Sequence, residues 1–153
     1  MDDDAVVILL SSLEGVRPLR ADGDTFFLYD PAGALPPEQQ RPFATVVTSD
    51  RHDQASGLDR PGVYRLNLGL KPETHCGLFG PPPRPTPDWH PVDTGHDFTA
   101  LDTLMPHPVY APLGWVCVLN PSAATFKQMQ PLLREAHALA ARRYAAHAAP
   151  QGG

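Results

Sequence analysis

The sequence predicts an α+β fold, an antiparallel sheet of about five strands with N-terminal and long C-terminal helices packed on one face. Five short segments have strand character, and they are joined mainly by turns and loops rather than by helical crossovers. Amphipathic helical patterns occur at both ends of the chain. The 153 residues are expected to form one α+β domain over 1–147, with residues 148–153 as a frayed tail.

The first third of the chain predicts a helix followed by a hairpin. Acidic residues at 2–4 stand where a helix N-terminus favours negative charge, and apolar residues at helical spacing follow as far as Leu13. Two strand segments, 16–19 and 25–29, flank the turn-forming residues 21–24. This arrangement is typical of a β-hairpin.

The middle of the chain predicts two further strands, a short helix and an irregular insert. Residues 43–48 and 63–68 are the strands, and the second alternates cleanly between apolar and polar side chains. Pro72 suits the first turn of a helix that Gly80 would close. Residues 81–91 contain six prolines, which predicts a surface insert without helix or central strand.

The last third predicts an interior strand and the longest helix. Residues 113–119 are apolar on both faces, as a central strand would be, and one or two helical turns are expected over 98–104. Thr125 with Gln128 suggests a capping box, and Pro131 should kink the helix or split off a first turn. The apolar stripe expected to pack across the sheet consists of Phe126, Met129, Leu132, Leu133, Ala136, Leu139 and Ala140.

Composition and charge exclude several classes of protein. The net charge is −5 with histidine neutral, which disfavours a nucleic-acid binder that must replace counterions with a positive face. The longest aliphatic run covers only residues 5–10, far short of the roughly 20 needed to span a bilayer. The acidic start does not resemble a secretory signal, so a cytoplasmic location is expected.

No motif points to a cofactor or to a known catalytic class. The sequence lacks a P-loop, a G-x-G-x-x-G fingerprint and a G-x-S-x-G nucleophile elbow. Cys76 and Cys117 do not form a CxxC pair, so neither a zinc ribbon nor a thioredoxin-type site is expected. We therefore predict no cofactor and no metal.

Four side chains are predicted to form a binding site: Arg65, Asn67, His107 and Trp115. Arg65 and Asn67 form a polar row that is either the solvent face of the sheet or the floor of a cleft where Arg65 meets an anion. His107 lies between two prolines that restrict its backbone, so its ring either serves as base or ligand or bonds a nearby carbonyl. Trp115 either covers the core or stacks on a ligand.

A cluster of histidines and aspartates follows the proline-rich insert. Short spacings of this kind occur in metal sites, but the cluster contains no H-E-x-x-H motif and falls in a loop region. Solvated loop residues are therefore the favoured interpretation, with a weak metal site as the alternative. The members are Asp88, His90, Asp93, His96, Asp97 and Asp102.

Several segments together resemble a known kind of chain. They are RPFATVVT at 41–48, DRPGVYRLNL at 59–68, PHPVY at 106–110 with GWVCVLNPS at 114–122, and PLLREA at 131–136. They are similar to a family of small bacterial proteins of unknown function. More distantly, the order of elements resembles the MmcQ/YjbR-like proteins, which have a frataxin-like topology.

What these resemblances imply is a fold rather than an activity. The MmcQ/YjbR-like group has carried a DNA-binding label, against which the net charge of −5 argues here. Frataxin-like iron binding is not implied, because the start of the chain holds only three acidic residues, which are expected to cap a helix.

The lack of a catalytic signature favours a non-catalytic domain that interacts with a small molecule or a protein. The first alternative is a small enzyme that uses His107 as general base beside Arg65, and it requires both side chains to open into one cleft. The second is a nucleic-acid-binding protein, which requires the arginines to gather on one face. The partner is undefined, and a homodimer through an exposed apolar row of the last helix is a further alternative.

Overall fold

The computed structural model describes residues 1–148 and has the predicted α+β architecture, with six strands rather than about five. The helices are α1 (Asp3–Ser11), α2 (Pro72–Phe79), α3 (Ala123–Gln128) and α4 (Gln130–Ala148). The strands are β1 (Val16–Ala21), β2 (Asp24–Tyr29), β3 (Ala44–Val47), β4 (Arg65–Gly69), β5 (Met105–Pro106) and β6 (Trp115–Leu119).

All strands form one antiparallel sheet in the order β1-β2-β3-β4-β6-β5. The strand expected to be interior is interior, since β6 lies between β4 and β5 and Val116 is fully buried. The additional strand, β5, has only two residues, so it is too short for a hydrophobic pattern to reveal.

The helical turns expected over residues 98–104 do not form. Asp97 accepts hydrogen bonds from both the backbone N–H and the hydroxyl of Thr99, at 3.0 and 2.6 Å. This local turn competes with helix formation. Leu101 instead forms an isolated parallel bridge with Leu119 at the end of β6.

The two faces of the sheet differ in what covers them. The larger hydrophobic core lies between one face and helices α1, α3 and α4, and it includes Leu66 and Leu68 of β4. On the other face, strand pairing aligns two rows of side chains. These rows are Phe26–Thr45–Asn67–Cys117 and Val47–Arg65–Leu119.

The C-terminal helical region is divided, as the proline predicted. Helix α3 ends at Gln128 and α4 begins at Gln130, with Pro131 in the first turn of α4. The capping prediction at Thr125 is wrong. Ser122 has an extended backbone and its hydroxyl accepts the N–H of Thr125 at 3.1 Å, so Ser122 is the N-cap.

The predicted apolar stripe faces the sheet. Leu133 is 5% exposed and belongs to the main core, whereas Leu132 and Leu139 are only partly buried. The other stripe residues in this core are Phe126, Met129, Ala136 and Ala140. The bare apolar row that the homodimer alternative requires is not present in the described part of this helix, because the stripe packs against the chain's own sheet.

The remaining segments match the expected outline. Residues 81–91 are irregular and contain a turn in which Asp88 and Trp89 have positive φ angles of 58° and 52°. Cys76 and Cys117 are free thiols. The tail expected at 148–153 lies beyond the described residues except for the last residue of α4. No helix in the described range is both long and apolar enough to cross a bilayer.

Replacing buried His75 of α2 with leucine is expected to stabilise the protein. His75 is 1% exposed, and neither ring nitrogen makes a hydrogen bond of acceptable geometry within residues 1–148. Such an unpaired polar group costs about 1–3 kcal/mol, so His75→Leu should raise the free energy of unfolding by about 1 kcal/mol at neutral pH.

The stability that His75→Leu gains over the wild type should be larger at acidic pH. Burial lowers the pKa of His75 below its usual 6.5, and the nearby backbone of Gly80 only partly offsets this. The unfolded state therefore takes up a proton more readily, and the wild type loses stability as the pH falls below 6.5. Urea melts at neutral and acidic pH check this, with exposed His90→Leu as the control; equal stabilities of wild type and His75→Leu at both pH values would contradict it.

Candidate functional site

The polar row of β4 is buried, so it is the floor of a cavity and not a solvent face. Arg65 and Asn67 are each only 2% exposed, although they point away from the helices. Asp53 and Ser56, in the connection between β3 and β4, cover the guanidinium of Arg65. The structure thus favours the cleft interpretation of this row.

A continuous chain of hydrogen bonds holds the floor. Arg65 donates from Nη1 and Nη2 to the two carboxylate oxygens of Asp53, at 3.1 and 2.7 Å. It also donates from Nη1 to the Ser56 hydroxyl at 2.9 Å and from Nε to Oδ1 of Asn67 at 2.9 Å. The amide nitrogen of Asn67 then donates to the Thr45 hydroxyl at 2.8 Å.

The Arg65–Asp53 pair sets the charge of both groups. Burial alone would raise the pKa of Asp53, but the hydrogen bonds and positive charge of Arg65 outweigh it and hold the pKa below its usual 3.8. Asp53 is therefore ionised near neutral pH. Such bidentate pairs combine charge with fixed geometry, so the guanidinium is neutralised and held in one orientation.

The imidazole of His107 is fixed by its own backbone. Its Nδ1 accepts two hydrogen bonds, from the backbone N–H groups of Val109 and Tyr110, both at 3.0 Å. A nitrogen that accepts such bonds cannot carry a proton, so the hydrogen-bond network assigns the neutral ring's proton to Nε2. Burial lowers the pKa of His107 well below 6.5, and the charge of Arg65 adds to this while Asp53 opposes it.

Two buried N–H groups consequently meet without an acceptor between them. Four of the five guanidinium donors of Arg65 have acceptors, and the fifth, on Nη2, is directed toward Nε2 of His107 at 3.5 Å. Since Nε2 also carries a hydrogen, this contact joins two donors. Unpaired buried donors are costly, so an oxygen acceptor placed beside both would be bound favourably.

These donors line a cavity of about 560 Å³. Apolar and aromatic side chains form most of its wall, and Trp115 lies across Gly69, where a Cβ would be 2.9 Å from the indole ring. Tyr110 and Leu113 are about half exposed, at 44% and 52%. The other apolar residues of the wall are Phe26, Pro42, Phe43, Val47, Leu70, Ala136 and Leu139.

The cavity also carries an excess of positive charge. Arg41, Arg65 and Arg143 line it, whereas Asp53 is the single carboxylate among its described lining residues. His52 is at the wall as well, where its Nε2 lies 2.9 Å from Oδ2 of fully buried Asp24. A mainly apolar pocket with a few convergent polar groups is the usual form of a small-molecule site.

All four residues predicted from the sequence line this cavity: Arg65, Asn67, His107 and Trp115. Sequence reasoning missed Asp53, Thr45, Arg41 and Arg143. Asp53 and Arg41 lie in polar loops, and Thr45 and Arg143 lie within regular elements, so no spacing marked them. The one available signal was Arg65 itself. If Arg65 lies on the floor of a cleft, its buried charge requires a carboxylate partner, and Asp53 is that partner.

The histidine and aspartate cluster does not converge. All six residues are exposed, and no group of three or more potential ligands in the described part of the chain could hold a metal ion. Several of the carboxylates organise the backbone instead. Asp93 accepts the N–H of Gly95, and Asp102 accepts the N–H of Ser122.

Fold and site together define the class of this protein: a small α+β domain in which a six-stranded antiparallel sheet carries helices on one face. The other face supplies the buried polar floor of a cavity whose wall extends to residues of α4. The chain belongs to a family of unknown function, DUF6194, whose profile matches residues 1–149. No curated protein matches the chain. No solved structure does either.

Proposed function

We propose that this protein is a non-catalytic domain that binds a small molecule in the cavity above the Arg65–Asn67 floor. The observation that carries the proposal is a pair of buried N–H groups without an acceptor, the second N–H of Arg65 Nη2 and the Nε2–H of His107, which line a largely apolar cavity of about 560 Å³. Cavities of about 300–1,000 Å³ suit small organic ligands. A protein partner would present a broad surface, which a concave site of this size does not match.

An enzyme with His107 as general base is less well supported. Arg65 and His107 do line one cavity, as that alternative requires. However, the lone pair of Nδ1 is occupied by two backbone donors and Nε2 already carries the proton. Gaining a second proton would create a buried cation beside Arg65, so the ring is suited to donate a hydrogen bond rather than to accept a proton.

Nucleic-acid binding also has little support. Arg17 pairs with Asp30, Arg60 donates to backbone carbonyls, and Arg65 is buried against Asp53. These three of the ten arginines are occupied within the fold, on a chain of net charge −5. Bacterial origin, cytoplasmic location and the more distant resemblance to MmcQ/YjbR-like proteins stay predictions.

A neutral naphthalene dye tests the proposed cavity. N-phenyl-1-naphthylamine should bind one per chain and fluoresce, and it should accept energy from the cavity residue Trp115. Trp89 is the other tryptophan of the chain, so the titration is carried out in Trp89→Phe to isolate Trp115. We expect quenching of Trp115 emission in step with the rise in dye emission.

A pair of leucines on α4 provides the matched control. Leu139 lines the cavity, whereas Leu132 does not, and both are partly buried. Leu139→Phe should narrow the cavity and weaken dye binding at least threefold, while Leu132→Phe should leave it unchanged. Absence of saturable binding to the Trp89→Phe protein, confirmed folded by circular dichroism, would refute the proposed function.

A further inference from the structure

We infer that the ligand is a small organic anion with an apolar body, and that its anionic group is held by Arg41 and Arg143. This inference rests on the proposed function, since it names the chemical class that the same cavity would take. It concerns the exposed mouth of the cavity rather than its buried floor, and it is carried by the placement and pairing of charged side chains.

Arg41 and Arg143 come from distant parts of the chain and line the same cavity. Arg41 lies just before β3, and Arg143 lies in the second half of α4. Both line the main cavity, and both also line a small adjoining cavity of about 20 Å³. Because the two residues line the same two cavities, they lie on the same side of the site.

Within the described residues, neither guanidinium has a counter-charge. No salt bridge or side-chain hydrogen bond of Arg41 or Arg143 occurs within residues 1–148, although other arginines of the fold have partners. Both side chains are exposed. Two like charges at one opening repel each other, and an anion between them would convert that repulsion into two favourable contacts.

The rest of the lining does not cancel this charge. Asp53 is already engaged with Arg65, so that pair is neutral as a whole. His107 is neutral near physiological pH because burial lowers its pKa. The mouth of the cavity is therefore positive on a chain whose net charge is −5, which favours an anionic ligand over a neutral or cationic one.

The cavity lining combines two kinds of polar group with an apolar wall. The positive mouth suits a carboxylate, sulfonate or phosphate, and arginine is well suited to hold such planar or multi-oxygen groups. The floor, with its two N–H donors beside a neutral ion pair, suits an uncharged oxygen acceptor. The lining residues Phe26, Leu70 and Trp115 would contact an aromatic or aliphatic body.

Two dyes that differ by one sulfonate group test the inference. 8-Anilino-1-naphthalenesulfonate has the skeleton of N-phenyl-1-naphthylamine with one sulfonate added. We expect the wild type to bind the sulfonate dye more tightly than the neutral dye. Arg41→Gln combined with Arg143→Gln should weaken binding of the sulfonate dye about tenfold and leave binding of the neutral dye within about twofold.

The neighbouring arginine supplies the control. Arg142 is exposed on the same helix and does not line the cavity, so Arg142→Gln removes the same charge without touching the site. It should change the affinity of neither dye. Raising the ionic strength from about 0.1 M to about 1 M shortens the Debye length from about 10 Å to about 3 Å. This change should weaken the binding of the sulfonate dye and leave the binding of the neutral dye unchanged.

The outcomes separate the two proposals. If neither dye binds, the proposed function fails. If both dyes bind with equal affinity, or the Arg41→Gln, Arg143→Gln double variant weakens both equally, the cavity binds small molecules but the assignment to anions is overturned. If Arg142→Gln weakens the sulfonate dye as much as the double variant does, the effect is one of overall charge and the assignment to Arg41 and Arg143 fails.

Discussion

Arg65→Met is expected to lower the free energy of unfolding by about 3–5 kcal/mol. The substitution keeps a long side chain but leaves the Asp53 carboxylate, which is 8% exposed, without its partner. It also removes donors from Ser56 and Asn67. Breaking a buried ion pair from one side leaves an uncompensated buried charge, which costs more than the intact pair contributes. Urea-induced unfolding measures the loss directly.

The loss of stability caused by Arg65→Met should become smaller as the pH falls. In the wild type Arg65 holds the pKa of Asp53 below 3.8, so this stabilisation is present above 3.8 and is lost as the pH falls through the folded-state value. In the variant, burial without a partner raises the pKa of Asp53 instead. Protonation of Asp53 then removes the unpaired buried charge from the variant. The difference in free energy of unfolding between wild type and variant should therefore narrow as the pH drops below about 5.

A double variant separates the charge effect from lost packing. Arg65→Met with Asp53→Leu replaces the whole pair by apolar side chains, and it should recover at least half of the stability lost in Arg65→Met. A single variant that unfolds within about 1 kcal/mol of the wild type at neutral pH would show that the pair is not the buried unit described. A double variant that is less stable than Arg65→Met would lead to the same conclusion.

Leu133→Ala is expected to cost about 2–5 kcal/mol. Leu133 is 5% exposed and packs in the main core between α4 and the sheet. Truncation removes buried apolar surface and leaves a cavity that the surrounding strands can only partly fill. Because small domains are stable by only about 5–15 kcal/mol, the loss should be evident as a large shift of the urea midpoint.

An exposed residue of α1 is the control for Leu133. Ile8 is 68% exposed, so Ile8→Ala should change the free energy of unfolding by less than about 0.5 kcal/mol. Melts of Leu133→Ala at two protein concentrations should coincide, because the stripe is covered within one chain. A concentration-dependent midpoint would indicate that this face contributes to a dimer.

The sequence predicted the fold correctly where a local residue pattern is compatible with only one kind of secondary structure. The alternation over residues 63–68 assigned Leu66 to the core and Arg65 to the opposite face, and the apolar run at 113–119 identified the interior strand. The predictions were wrong at two places where a single side-chain hydrogen bond determines the local backbone conformation. Ser122 rather than Thr125 caps α3, and the Asp97–Thr99 turn prevents helix after residue 97.

The site was only partly accessible. It was possible to identify Arg65, Asn67, His107 and Trp115 because they stand on or beside segments that the sequence predicts to be strands. Pairing partners such as Asp53 depend on how a loop folds over the sheet, and loop conformation leaves no periodic signal. The tautomer of His107 depends on two backbone N–H groups whose positions only the folded chain defines.

The nitrogen resonances of His107 test the account most directly. The measurement is a two-dimensional ¹H–¹⁵N spectrum of the imidazole rings at neutral pH, with and without 8-anilino-1-naphthalenesulfonate, and with His107→Gln for assignment. We expect a neutral ring protonated at Nε2, whose resonances shift when the dye enters the cavity. A ring that is charged at neutral pH or protonated at Nδ1, or resonances that stay unchanged at saturating dye, would contradict the proposed donor pair and its cavity.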